Sequence, residues 1–540
     1  MSYYKDLREY LSCLNKNNKL RVITRLINKD TELHPLVRWQ FRGLEEKDRS
    51  GFLFQSLTDI KGRQYQGGVA TSIIGPSREV YALGMQCAPE EISQKWVKAY
   101  ERPLEPKLVK SGPVKEVIHR GNGLLDHGGL YQFPIPMATN GWESLPRLTA
   151  ISWHTRDPET GVLNVGTYNG YLFGPAQASC CPDHSTHLKL HWDKCRARGV
   201  PLPAAAVIGG VPAVTMVSVT RMPYGVDELA VAGGIAGEPL EVVKCETSDI
   251  VVPATAEIVI EGEIPTDREH PNPAMGEHLG HMMVHGTIYP FFVKCITHRQ
   301  DPIWHDYISQ MPPSESSTIR GLGSEGRMLD FLSRECGIPQ VKDTAFHHCA
   351  GAWRLCVIRF QDIGGVRTHN ATVWQALTAA LSISSDWPKM VIAVDEDIDP
   401  WDLESVFWAV TCRYQPHRDT KIIQGRTASL DQSSTPYFGE ELDLRHFPTS
   451  MVGPQGASAI LMDATRKWDY TPVALPKREY MDKARGIWEE LGFPPLRPRA
   501  PWYGYSLGVW SEEYENQAAL AEQGAFETVA QEILAKMKRI

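Results

Sequence analysis

Two histidine triplets, His184/His187/His191 and His278/His281/His285, share i, i+3, i+7 spacing, which on a helix would set three imidazoles on one face. Three imidazoles with an open fourth position make a zinc site able to activate water. Pro182 and the following Asp183-His184-Ser185 suit a helix start for the first triplet, whereas Gly276, Gly280 and Gly286 disfavour a helix around the second. Most of the six therefore read as surface or satisfied core histidines, and a zinc hydrolase stands as a separate class of function. Glu277 sits in Pro271-Asn272-Pro273-Ala274-Met275-Gly276-Glu277-His278, a Gly/Pro-rich loop between two strand patterns. Such a placement suits a solvated charge or an acid/base group equally. Gly321-Leu322-Gly323-Ser324-Glu325-Gly326 spells G-x-G-x-x-G, but a dinucleotide site needs a strand directly before it. Met311–Ser317 reads as a loop instead, so the glycines are expected to form a flexible loop capping a helix.

The elements that would carry these residues change character along the chain. Residues 1–115 mix helical patterns, beginning with an amphipathic one in MSYYKDLREYLSCLNKNNKL, with short strands. Residues 116–325 are β-rich: Ala205–Gly210 is an apolar run closed by glycines, Thr215–Val219 reads as a β-branched strand, and Glu257–Gly262 as another ending at its glycine. Residues 326–505 alternate helix and strand, with helices at Gly326–Arg334 and Ala371–Leu381 and strands at Leu355–Phe360 and Met390–Val394, as an α/β domain does. The tail, 506–540, reads as a helix from Ser511 that docks on its own chain or on a partner.

At 540 residues the chain exceeds one core and calls for two or three domains. No run of about 18 apolar residues is present, and the N-terminus lacks a signal-peptide pattern, so a cytoplasmic protein with no membrane partner is expected. A net charge of -8 and the lack of any Lys/Arg block argue against nucleic acid. The 11 cysteines include no C-x-x-C pair, which fits reduced thiols, and Cys180-Cys181 reads as two small buried residues.

Several segments together carry more than any one of them. Asn164-Val165-Gly166-Thr167-Tyr168, Val211-Pro212-Ala213, Met222–Glu228, Val242–Asp249, Val252–Glu257, Gly276-Glu277, Thr297-His298-Arg299, Asp395–Asp399 and Met462–Thr465 occur in the order found in the UbiD family. The resemblance covers roughly residues 110–470, with Val242–Asp249 followed by Val252–Glu257 its most specific part. It implies an N-terminal α/β region, a central flavin-binding split β-barrel, and a C-terminal α/β oligomerisation domain, in a dimer or hexamer. It also implies prenylated FMN, supplied by a flavin prenyltransferase, with its phosphate held through a divalent metal and K+. The family's metal ligands map onto Asn164, His187 and Glu228; an oxygen-rich set with one imidazole favours Mn, Mg or Fe. Thr167, Tyr168, Asn169, Thr186, Ser218, Thr220, Met222 and Pro223 are implied as neighbours of the cofactor.

The family's Glu-Arg-Glu trio is incomplete here. Asn169 stands where the arginine is usual and Asn272 where the first glutamate is; only Glu277 remains. The expected function is non-oxidative decarboxylation of an aromatic acid, with Glu277, its pKa raised, delivering the proton that replaces CO2. Asn169 and Asn272 would act as neutral hydrogen-bond donors. An asparagine cannot clamp a carboxylate as arginine does, which suggests a substrate with a large remote handle, an aroyl-CoA such as phthaloyl-CoA. An arene or phenol carboxylase and a non-catalytic flavin-binding subunit are the alternatives.

Overall fold

Asp6 caps the first helix, Leu7–Lys16, by accepting from the Glu9 amide, and the helix buries Leu7, Tyr10, Leu11 and Leu14 at amphipathic spacing. The computed structural model describes residues 2–182, 186–283, 286–426, 430–434, 457–501 and 508–536. Near this helix, Leu20–Ile23, Gly51–Phe54, Val69–Thr71 and Trp304–Asp306 form a mixed four-stranded sheet, whose last strand comes from far along the chain.

The central architecture is a curled antiparallel sheet of ten strands. Its spine is Thr287–His298, 12 residues that pair with Ile258–Ile264, Gln177–Cys180, His270–Pro271 and Val117–Arg120. The register slips between Glu261 and Gly262. A Cβ on Gly262 would lie 2.1 Å from the Phe292 carbonyl oxygen, so the chain passes there only as glycine. Past this sheet, Val341–Phe346, Leu355–Phe360, Met390–Val394, Ala457–Asp463 and Thr420–Arg426 build a five-stranded sheet with its own core. The mixed α/β and β architecture agrees with the expected fold class.

Local readings failed where burial erased periodicity. Thr215–Val219 is not a strand but the end of a helix, Pro212–Val219, in which every residue is buried. A helix enclosed on all sides has no polar face to reveal its period, while Pro212 in the first turn is favourable. The predicted glycine loop is likewise helical. Glu315–Asp330 is one α-helix with a Ser314/Ser317 capping box, continued by a wider turn at Phe331–Glu335. Gly321, Gly323 and Gly326 are buried within it: a Cβ on Gly323 would lie 2.2 Å from Thr220 Oγ1, and one on Gly326 2.3 Å from Trp96 Cβ. These glycines allow close helix packing, and neither the dinucleotide site nor the flexible cap is present. The C-terminal helix is divided into Glu512–Glu522 and Phe526–Ala535, with Gly524 at φ +80° between them.

Candidate active site

Two helix starts, one helix end and one strand meet at a cavity of about 220 Å³. Strand Leu163–Thr167 contributes Asn164 and Thr167, with Tyr168 and Asn169 just beyond it. His187 is the first residue of helix His187–Ala197, which Thr186 caps by accepting from the Lys189 amide. Glu228 is the first residue of helix Glu228–Ala236, capped by Asp227, and Ser218 and Thr220 lie at the end of Pro212–Val219. The positive dipole ends of these helix starts suit anionic groups.

His187 Nδ1 and Glu228 Oε1 are 4.0 Å apart, and Glu228 Oε2 accepts from the Val165 amide at 3.2 Å. Burial pushes the Glu228 carboxyl up to about 8, against the pull of its backbone hydrogen bonds. Asn164 is buried with its Nδ2 unpartnered. An amide, an imidazole and a buried carboxyl lacking a counter-charge are the donor set a hard divalent cation requires, so these residues fit the implied metal. Thr167 Oγ1 and Ser218 Oγ, 2.8 Å apart, add hydroxyls beside them.

Glu277 also lines the cavity, on the tight hairpin between Met275-Gly276 and Met282-Met283. Its amide donates to the His281 carbonyl at 2.9 Å, and its Oε2 lies 3.1 Å from His278 Nδ1. Arg147 braces the hairpin through the Gly276 carbonyl at 2.8 Å. The sequence-based expectation of a raised Glu277 pKa is reversed. Burial does push it up, but hydrogen bonding to His278 and the charges of His278, Arg147 and Arg320 outweigh burial and hold the carboxyl below its usual range.

Met222 also lines the cavity, whereas Asn272 and Pro223 are not among its described lining residues. Asn272 is half-buried with its Oδ1 unpartnered, and its amide donates to the Gly286 carbonyl. Of the described members of the first histidine triplet, His187 lines the cavity and His191 does not. His191 is buried, with Nδ1 3.0 Å from Thr155 Oγ1, and His184 and His285 lie outside the described residues. No cluster of three or more His, Cys, Asp or Glu suited to a metal occurs among the described residues. Cys180 is buried as expected, while Cys181 lines the cavity.

The sequence reading missed the far wall. Arg320 comes from Glu315–Asp330, and Trp353, Arg354 and Trp387 come from the C-terminal domain. Had Ser314 been read as a helix cap, the stretch from Glu315 would have been placed on one helix together with Arg320.

A cleft that joins buried titratable groups from several elements to an apolar wall marks an enzyme. Residues 107–312 match the 3-octaprenyl-4-hydroxybenzoate carboxy-lyase Rift-related domain, and residues 317–449 the C-terminal domain of the same carboxy-lyase. The chain belongs to the UbiD family and is a carboxy-lyase. Among solved structures, an evolved dimeric form of the UbiD-class enzyme HmfF from Pelotomaculum thermopropionicum, in complex with prFMN, is 28% identical. That match covers 88% of this chain and 97% of that one, with a TM-score of 0.72. Vanillic acid decarboxylase from Sedimentibacter hydroxybenzoicus, in closed form, shares the fold at 23% identity, 91% and 100% coverage and TM-score 0.77. So does 3,4-dihydroxybenzoic acid decarboxylase from Klebsiella pneumoniae, at 22% identity, 89% and 99% coverage and TM-score 0.72. No helix among the described residues is long and apolar enough to cross a membrane.

Proposed function

We propose that this protein is a prenylated-FMN-dependent, non-oxidative decarboxylase of an aromatic carboxylic acid, used as an aroyl-CoA such as phthaloyl-CoA. The observation that carries the reading is the convergence of Asn164, His187 and Glu228 on the cavity that Glu277 also lines. Asn164, His187 and Glu228 would hold a divalent metal that, with K+, neutralises the flavin phosphate; Thr167, Ser218 and Thr220 would add hydroxyl donors beside it. When bound, the modified flavin supplies the electron sink that decarboxylation requires and no side chain offers. Glu277 takes the proton role. With its carboxyl held below the usual range, Glu277 must collect a proton, with His278 its hydrogen-bonded neighbour, before delivering one to carbon.

The thioester part of the reading rests on Asn169, which offers no charge to a carboxylate. A remote CoA group would then supply binding energy that positions the reacting carbon. Homo-oligomer formation is supported by the helices Arg478–Glu490, Glu512–Glu522 and Phe526–Ala535, which bury none of their residues while exposing Ile487, Trp488, Phe526, Ile533 and Leu534.

Protein produced together with a flavin prenyltransferase should be coloured and release the modified flavin on denaturation. In Glu228→Ala, metal and flavin should be lost together while the circular dichroism spectrum is kept; retention of both at full occupancy would remove Glu228 from the site. Phthaloyl-CoA, other aroyl-CoA acids, free phthalate and cinnamate-type acids assayed side by side decide the substrate form, and equal turnover of free acids would exclude the thioester requirement.

A further inference from the structure

The loss of arginine at position 169 leaves open how the reacting acid is held, and the far wall of the cavity answers it. We infer that Arg320 receives the substrate carboxylate, from a helix rather than from the strand end that carries Asn169. This rests on the decarboxylase reading above but not on its thioester part, and adds to it a specificity-determining residue.

In the helix Glu315–Asp330 every residue except Arg320 is buried, so Arg320 is the one side chain the helix leaves for the cavity. The helix is fixed at both ends. Glu315 accepts from the Ser72 and Ile74 amides, and Glu325 pairs with Arg78. A site group on so constrained an element is pre-organised.

Four arginines surround the reacting region; Arg147 and Arg354 are committed to protein groups, and Arg221 is turned to solvent. Arg147 spends its two Nη groups on the Gly276 and Ser309 carbonyls and lies 3.2 Å from Glu143. Arg354 donates to the Asp386 carbonyl at 2.6 Å. Arg221 is exposed, with Nη1 3.4 Å from Ser384 Oγ. Among the described residues no hydrogen bond or ion pair closes on the Arg320 guanidinium, and its Nε is buried without a partner. An enclosed, unpaired guanidinium is costly unless an anion comes to it.

Its surroundings suit an aromatic acid. The guanidinium lies 5.0 Å from the centroid of the Trp353 ring; Trp353 stacks on Trp387 at 5.7 Å and meets the His278 ring edge-on at 5.1 Å. Stacking on indole fixes the guanidinium plane and leaves its N–H edge for a bidentate carboxylate, beside an aromatic surface for the ring of the acid. Glu277 faces the same space, so the acid would be held next to the proton-carrying group. Binding there also changes that group. Glu277 is faced by His278 from its own hairpin, Arg147 from strand Arg147–Leu148 and Arg320 from the helix; Arg320 is faced by Glu277 and Tyr307, and His278 by Arg354. A carboxylate on Arg320 cancels one of the cations holding Glu277 ionised and eases its protonation.

The test uses holoenzyme, with benzoate as the charged probe and benzamide as the neutral one, each titrated by tryptophan fluorescence. Arg320→Gln should weaken benzoate by about tenfold or more, the scale of a charge-assisted bidentate contact, with benzamide affinity, flavin content and melting temperature unchanged. Arg320→Lys, which keeps a cation without the fork, should fall between them and serves alone if the glutamine variant does not fold. In kcat/KM profiles the limb reporting Glu277 should move to higher pH in Arg320→Gln, since a cation that lowers its pKa is gone. Unchanged benzoate affinity in either variant, or parallel loss of benzoate and benzamide, overturns the assignment. If benzoate depends on Arg320 but the flavin-loaded protein releases no CO2 from any aromatic acid or its thioester, the carboxylate site stands and the decarboxylase reading fails.

Discussion

Glu277 lies against His278, with the cationic side chains of Arg147 and Arg320 acting on its carboxyl. Its position was legible because it stands in a recognisable motif, but its ionisation was not, since Arg147 and Arg320 lie 130 and 43 positions away in the chain. Glu277→Gln keeps the shape but cannot carry a proton. Turnover should fall by about 10²–10⁴-fold, the usual contribution of a general acid/base group, with flavin content unchanged by absorbance. Near-normal turnover would move the proton role to His278, whose Nε2 is buried without a partner. The residues proposed for the metal were legible for another reason. Asn164, His187 and Glu228 each stand at or beside a strand or helix end, where an ordered motif fixes both residue and element.

At the scale of elements, the sequence revealed what alternates and hid what is enclosed. Leu355–Phe360 and Met390–Val394 were readable as strands because glycine, proline or polar stretches bound them. Pro212–Val219 was not, because burial on every side removes the polar face that marks a helix, and Glu315–Asp330 was not, because polar residues and glycines are spread all round it and hide its period. The misread glycines make a discriminating prediction. Replacing glycine by alanine inside a helix ordinarily gains about 1 kcal/mol. At Gly326 the added methyl would lie 2.3 Å from Trp96 Cβ, a fully buried side chain with no free end to swing away. Overpacking costs of about 1–3 kcal/mol should outweigh the propensity gain, so Gly326→Ala should be less stable in urea unfolding. A gain in stability would mean that the two helices separate freely at that contact.

At the scale of the whole molecule, the cavity belongs to no single part. Asn164, His187 and Glu228 come from the strands and helices of the curled-sheet region, Arg320 from the long helix that follows, and Trp353, Arg354 and Trp387 from around the five-stranded sheet. A reading along the chain finds each motif within its own stretch and cannot show that Trp353 faces Glu277 across the seam. This division predicts that cofactor retention and substrate handling separate by mutation. Trp353→Leu keeps an apolar side chain but removes the indole face on which Arg320 rests and which stacks on Trp387. A desolvated cation–π contact contributes about 2 kcal/mol, and a loss of that size corresponds to a fall in kcat/KM of about thirtyfold. The proposed flavin anchors lie on the other side of the seam, so the ratio of flavin to protein should stay at the wild-type value. If Trp353→Leu instead loses flavin and activity in step, the indole supports the cofactor side of the cavity, and the separation of roles across the seam does not hold.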